Sequence, residues 1–309
     1  MLRTIEALFL RIQKAPRLVL WRRWHEACAG KVEEDLMVIL VSLILLSQTE
    51  SGESKEVKEE CRKAVDAFHA SMKSTTEAAR GSAIEALAGH HCVAAIGALA
   101  PYLQDAEETI RIATIRALGT MDHAEAVEVL GAALPAWESS KNTMEAIIKA
   151  LQTLDWEAGA EPLHGLLSKY HEKGMLDEIR PVVQALGSLG SSSSVDPLLR
   201  LLEHAENESQ GGRAGRSRST ANPKLKALEG PIRAALQAIT GGNESSYRKW
   251  RSWWQENRDR LFASATLVFR CRMTGKHWEQ KSGETMACPN HDKPEKDGQL
   301  VKTRLKPRA

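Results

Sequence analysis

The residues best equipped for chemistry are His90, His91 and Cys92, three metal-binding types in a row. Adjacent side chains point in different directions on a helix and no carboxylate stands nearby at a useful spacing. The trio therefore reads as turn residues rather than as a tetrahedral site. His25, His69, His123, His164, His171 and His204 are scattered singly, and none falls in a G-x-S-x-G or H-E-x-x-H motif. The expectation is a protein without a catalytic site. Cys28, Cys61, Cys92, Cys271 and Cys288 are too few and too dispersed for the disulfide framework of a small secreted domain, and only the last two sit in a suggestive setting. Arg213, Arg216 and Arg218 lie in a Gly- and Ser-rich stretch, where they either touch an acidic partner or nucleic acid or serve as a solvated spacer.

Composition sets the frame that must position these residues. Ala, Leu, Glu and Lys are abundant while aromatic residues make up 5% of the 309 positions, which suits helices and not a β-sandwich. The net charge of +2 excludes a uniformly basic, DNA-coating protein.

An internal repeat dominates the middle of the chain. Four residues recur as Ile84-Glu85-Ala86-Leu87, Ile115-Arg116-Ala117-Leu118, Ile148-Lys149-Ala150-Leu151 and Val183-Gln184-Ala185-Leu186, with leucine spacings of 31, 33 and 35. A fifth copy is read at Leu236-Gln237-Ala238-Ile239. Twelve residues after each of the first four leucines comes Leu99, Leu130, Leu163 or Leu198. Each unit is therefore a helix pair, with Gly89, Gly119 and Gly187 expected to end the first helix. Glu161-Pro162 and Asp196-Pro197 are expected to open second helices. The tetrad alanine is small enough to let the two helices of a pair approach closely. Trp250, Trp253 and Trp254 share one helix face and seal the last repeat, leaving Arg248, Lys249, Arg251, Arg258 and Arg260 in solvent.

Between Asn207 and Lys224 the helical pattern lapses, and a loop is expected. These periods and punctuations resemble HEAT repeats of the short bacterial kind, related to those of phycobilisome lyases, over roughly Glu77 to Phe262. The resemblance implies an all-α, right-handed α-solenoid of helix pairs that stack to bury a continuous core.

Residues 1–52 read as a leader. The apolar run Leu36 to Leu46 has the length of a signal-peptide core rather than of a membrane span. Translation from Met37 would make the chain exported or periplasmic, and retention of the run would anchor it. Translation from Met1, with the run as a buried first helix, would leave it cytoplasmic.

Residues 263–309 change character, with short strands expected at Phe269-Arg270-Cys271 and Trp278-Glu279-Gln280 around the turn Thr274-Gly275-Lys276. This small basic tail resembles a degenerate zinc ribbon. The resemblance implies Cys288 and His291 as one ligand pair, with Cys271 and His277 completing four, since Thr274 stands where a cysteine belongs. The alternatives are a ribbon that has lost its zinc and a Cys271–Cys288 disulfide.

Three functions follow in order: a non-catalytic scaffold for a protein or peptide partner, a nucleic-acid-binding array using the arginine loop and basic tail, and an enzyme of the bilin-lyase kind. The second and third rest on analogy of fold.

Overall fold

The computed structural model describes residues 55–73, 76–210, 222–271, 275–284 and 298–305, all within one compact unit. The apolar run at 36–46, the three loop arginines, Cys288 and His291 lie outside these residues.

Helix α1 spans Lys55–Ser71. Four helix pairs follow: α2 (Glu77–Ala88) with α3 (Val93–Leu99), α4 (Glu108–Thr120) with α5 (Ala124–Ala133), α6 (Lys141–Leu154) with α7 (Ala160–Glu172), and α8 (Leu176–Leu189) with α9 (Val195–Gln210). A short α10 (Pro223–Lys226) leads into a fifth pair, α11 (Glu229–Thr240) and α12 (Tyr247–Ala263). The helical segment before the loop thus runs on to Gln210. Pro162 and Pro197 fall in the first turns of α7 and α9, where a missing N–H costs no intrahelical bond.

The recurring tetrad forms helix because its apolar positions stand three residues apart on one face. Ile84, Leu87, Ile115, Leu118, Ile148, Leu151, Val183, Leu186, Leu236 and Ile239 are all buried, as are Leu99, Leu130, Leu163 and Leu198 of the second helices. They belong to one continuous cluster running from α1 to the C-terminal sheet.

The small residues mark helix ends and also pack: Gly89 caps α2, Gly119 is the penultimate residue of α4, and Gly187 stands two residues before the end of α8. A β-carbon at Gly119 would sit 2.9 Å from the Ala150 β-carbon, and one at Gly187 would sit 2.9 Å from that of Ala235. The tetrad alanine Ala150 therefore meets the first helix of the preceding repeat, and Ala235 of α11 does the same. The same contact fixes the fifth register: Ala235-Leu236 occupies the Ala-Leu position, while Ala238 is exposed. Left-handed residues follow three of the first helices, Asp155 after α6, Gly190 after α8 and Gly241 after α11.

The two ends are closed by different means. At the C-terminal end Trp250 and Trp254 are buried and Trp253 is partly covered. Gly242 packs so tightly on Trp250 and Trp253 that a β-carbon there would meet them at 2.9 and 3.0 Å. At the N-terminal end α1 buries two side chains, Cys61 and Phe68, and Cys61 is disulfide-bonded to Cys92 at the start of α3. This bridge spans 31 residues, a loop whose closure stabilises the fold by about 3–4 kcal/mol. The scattered cysteine spacing concealed it.

The tail forms a three-stranded antiparallel sheet of order β2-β1-β3: β1 (Thr266–Cys271), β2 (His277–Lys281) and β3 (Gly298–Arg304). The first two are the expected hairpin, and the third carries no alternation strong enough to have announced it.

Substitution distinguishes the two kinds of helical glycine. Gly119→Ala gains about 1 kcal/mol of helix propensity but overpacks a rigid contact at roughly 1–3 kcal/mol, so its urea midpoint is expected to fall. Gly165→Ala, with nothing within 4 Å of the added carbon, is expected to raise the midpoint by about 0.5–1 kcal/mol of stability.

Candidate functional site

The second and third turns that join first helices to second helices are acidic. Asp122 and Asp155 each stand four residues after a tetrad leucine, and Glu157 follows. Asp155 adopts φ 56°, a left-handed conformation that aspartate tolerates better than most residues. The Asp122 carboxylate accepts the Trp156 indole N–H at 2.8 Å, which ties the second turn to the third.

The C-terminal sheet docks on these turns. Arg270 on β1 points Nε to Asp122 at 3.3 Å, and His277 on β2 places Nε2 3.0 Å from the same carboxylate. Lys302 on β3 pairs with Asp155 at 2.6 Å, and the Thr303 backbone N–H donates to Glu157 at 2.9 Å. Glu157 also accepts from Ser191, joining the fourth turn to the third. The Arg270 and Lys302 side chains are 9% and 11% exposed, so these cations are largely withdrawn from solvent. Of the basic tail residues offered for nucleic-acid contact, Arg270 and Lys302 are folded back onto the solenoid, whereas Lys276, Lys281 and Arg304 remain exposed. The recurrence of aspartate four residues after the leucine was the signal available for this interface.

Of the four residues assigned to zinc, two are described. Cys271 is fully buried in a small cluster with Phe269 and Trp278, and His277 already faces Asp122. Among the described residues no group of three or more His, Cys, Asp or Glu is arranged to hold a metal ion.

A groove opens on the face built by first helices, between α4 and α6. Its volume is 490 Å³, and its floor is Ile112, Gly119, Ala146 and Ala150. The close Gly119–Ala150 contact keeps this floor free of large side chains. Arg116 and Lys149, the second residues of consecutive tetrads, are exposed on its rim with Thr120, Asn142, Glu145 and Thr153.

A second groove, of 570 Å³, lies between α9 and the cap helix α12. Arg200, Arg251 and Arg258 line it together with Asp196, Glu203 and Asp259, a balanced mixture of charges. Arg251 donates to the Tyr247 hydroxyl and Arg258 pairs with Asp259. Arg248, Lys249 and Arg260 are exposed elsewhere on the cap helix.

His164, His171 and His204 lie on the second helices α7 and α9. His164 Nε2 is 2.8 Å from the buried Ser194 hydroxyl, and burial holds this imidazole below its ordinary range. His171 is lowered by burial and then by its neighbour His204, whose ring centroid lies 4.9 Å away. His90 and His91 are exposed turn residues, while Cys92 is taken by its disulfide. His164 thus pairs with a serine hydroxyl, while His123 and His277 each face a carboxylate, Glu125 and Asp122.

A family model described as HEAT repeats matches residues 65–148, from α1 into α6. No curated protein matches the chain. The same Gly/Ala stacking continues beyond that stretch through α11, so the chain carries HEAT repeats in a consecutive helical array closed by a three-stranded sheet. No helix among the described residues is long and apolar enough to cross a membrane.

The docking of the sheet is testable by charge reversal. Lys302→Glu sets two carboxylates together and is expected to raise hydrogen exchange of the β3 amides about five- to tenfold, or ~1–1.4 kcal/mol. Asp155→Lys in the same chain is expected to restore protection.

Proposed function

We propose that this chain is a non-catalytic scaffold that holds a protein partner on the face built by its first helices. The observation that carries this reading is the solvent-open groove between α4 and α6, with an apolar floor and charged rim. HEAT arrays generally serve protein interaction, and their repeat interfaces provide rigid, regularly spaced surfaces. Two features favour a protein over nucleic acid. Arg270 and Lys302 of the tail are engaged by Asp122 and Asp155, and the larger groove carries as many acids as arginines. A bilin-attaching activity has less support, since the described cysteines are buried, two of them in a disulfide.

Site-directed photocrosslinking in the native cell tests the reading. A benzoylphenylalanine at Thr120 or Gln184, both on exposed first-helix positions, is expected to give protein adducts that survive nuclease treatment. The same group at exposed Ser168 on α7 is expected to give none. Adducts confined to α7, or lost with nuclease, contradict the assignment.

The scaffold also works in an oxidising compartment on this reading. Disulfides persist outside the reducing cytosol, and the Cys61–Cys92 bridge ties α1 to the start of α3. Alkylation of chain trapped from the native cell is expected to leave Cys61 and Cys92 unmodified until reductant is added. Prompt labelling of both thiols places the protein in a reducing compartment.

A further inference from the structure

We propose that the α4/α6 groove binds an acidic amphipathic helix, with small aliphatic side chains of the partner on the floor and two of its carboxylates over Arg116 and Lys149. This deepens the scaffold reading and rests on it.

The floor defines the apolar half of the ligand. Ile112, Ala146 and Ala150 line it, and Gly119 contributes no side chain, so the groove is shallow and smooth. A ridge of Ala, Val or Leu side chains fits such a floor, following the ridge-into-groove packing that already joins α4 to α6. Bulky aromatic anchors would find no deep pocket in it.

The rim defines the polar half. Arg116 and Lys149 hold the same tetrad position in neighbouring repeats, and both are exposed. Neither forms an ion pair among the described residues, whereas Arg80, Lys169, Lys173, Arg233, Arg270 and Lys302 all do. Exposed cations beside apolar surface attract a carboxylate-bearing partner and steer its approach. In the flanking repeats the same position holds Glu85 and Gln184, so the cationic segment is confined to this groove. Glu145 on the rim faces Lys141 at 3.8 Å, which tempers its repulsion of an acidic ligand.

Geometry links the two halves. Adjacent packed helices lie about 8–10 Å apart, which sets the separation between equivalent positions on α4 and α6. Residues seven apart on a partner helix are separated by about 10.5 Å along its axis. A helix lying across α4 and α6 can therefore set carboxylates at i and i+7 over the two cations, with its i+3 and i+4 residues on the floor between them.

The test uses the full chain and a fluorescein-labelled helical peptide of roughly 20 residues, with an Ala/Leu face and glutamates seven apart beside it. A matched peptide carries lysines in their place. The glutamate peptide is expected to bind at least tenfold more tightly than the lysine peptide. Arg116→Glu with Lys149→Glu is expected to invert that preference, while Arg248→Glu on the cap helix leaves it unchanged. Equal binding of the two peptides, survival of glutamate-peptide binding in the double variant, or tighter binding of duplex DNA at the same residues overturns the proposal. Crosslinked partners at Thr120 without glutamate-peptide binding would retire this ligand chemistry and keep the scaffold. Loss of both would retire the scaffold as well.

Discussion

The array depends on how closely its first helices approach one another. Gly119 against Ala150 and Gly187 against Ala235 bring consecutive repeats together at points where a single methyl group does not fit. Large residues on either side, Ile115, Leu118, Ile148 and Leu151 among them, then interdigitate at full burial. At these two junctions a small residue at the centre is surrounded by large aliphatic residues. Stability in such a system is a sum over neighbours, so each end needs a closure of its own. The tryptophan cap supplies one, and the disulfide-tied α1 supplies the other.

The same packing prepares the surface. Where Gly119 meets Ala150 there is no side chain to stand above the helices, and the exposed face sinks into a groove. The tetrad's second position points outward because its neighbours point inward, so its identity is free of packing constraint. Here it is Glu85, Arg116, Lys149 and Gln184 in turn. The turn edge has the opposite fate. Its acids are matched by Arg270, His277 and Lys302, and the sheet that carries these residues thereby becomes part of the solenoid. One edge is occupied by the chain itself, while the groove on the first-helix face is open to solvent.

Legibility in the sequence followed the strength of local signals. The helix pairs were plain because Ile/Leu periodicity and proline starts are local and redundant. The contact of Ala150 with α4 was not legible, since spacing shows that a residue is small but not which helix it meets. Gly119 and Gly187 mark their helix ends to within two residues, but their close contacts with Ala150 and Ala235 join different repeats and no local spacing shows them. The Cys61–Cys92 bond and the docking of β3 were hidden by their separation along the chain, 31 residues in the first case. The groove itself arises from two helices in different repeats, and no linear motif marks it.

The most direct measurement is a hydrogen-exchange footprint of the full chain bound to the protein it captures in its native cell. The account predicts added protection on α4 and α6, with the β3 amides and the turns at Asp122 and Asp155 unchanged. Protection appearing at those turns while β3 becomes exposed would contradict it, because the partner would then have taken the place of the chain's own sheet.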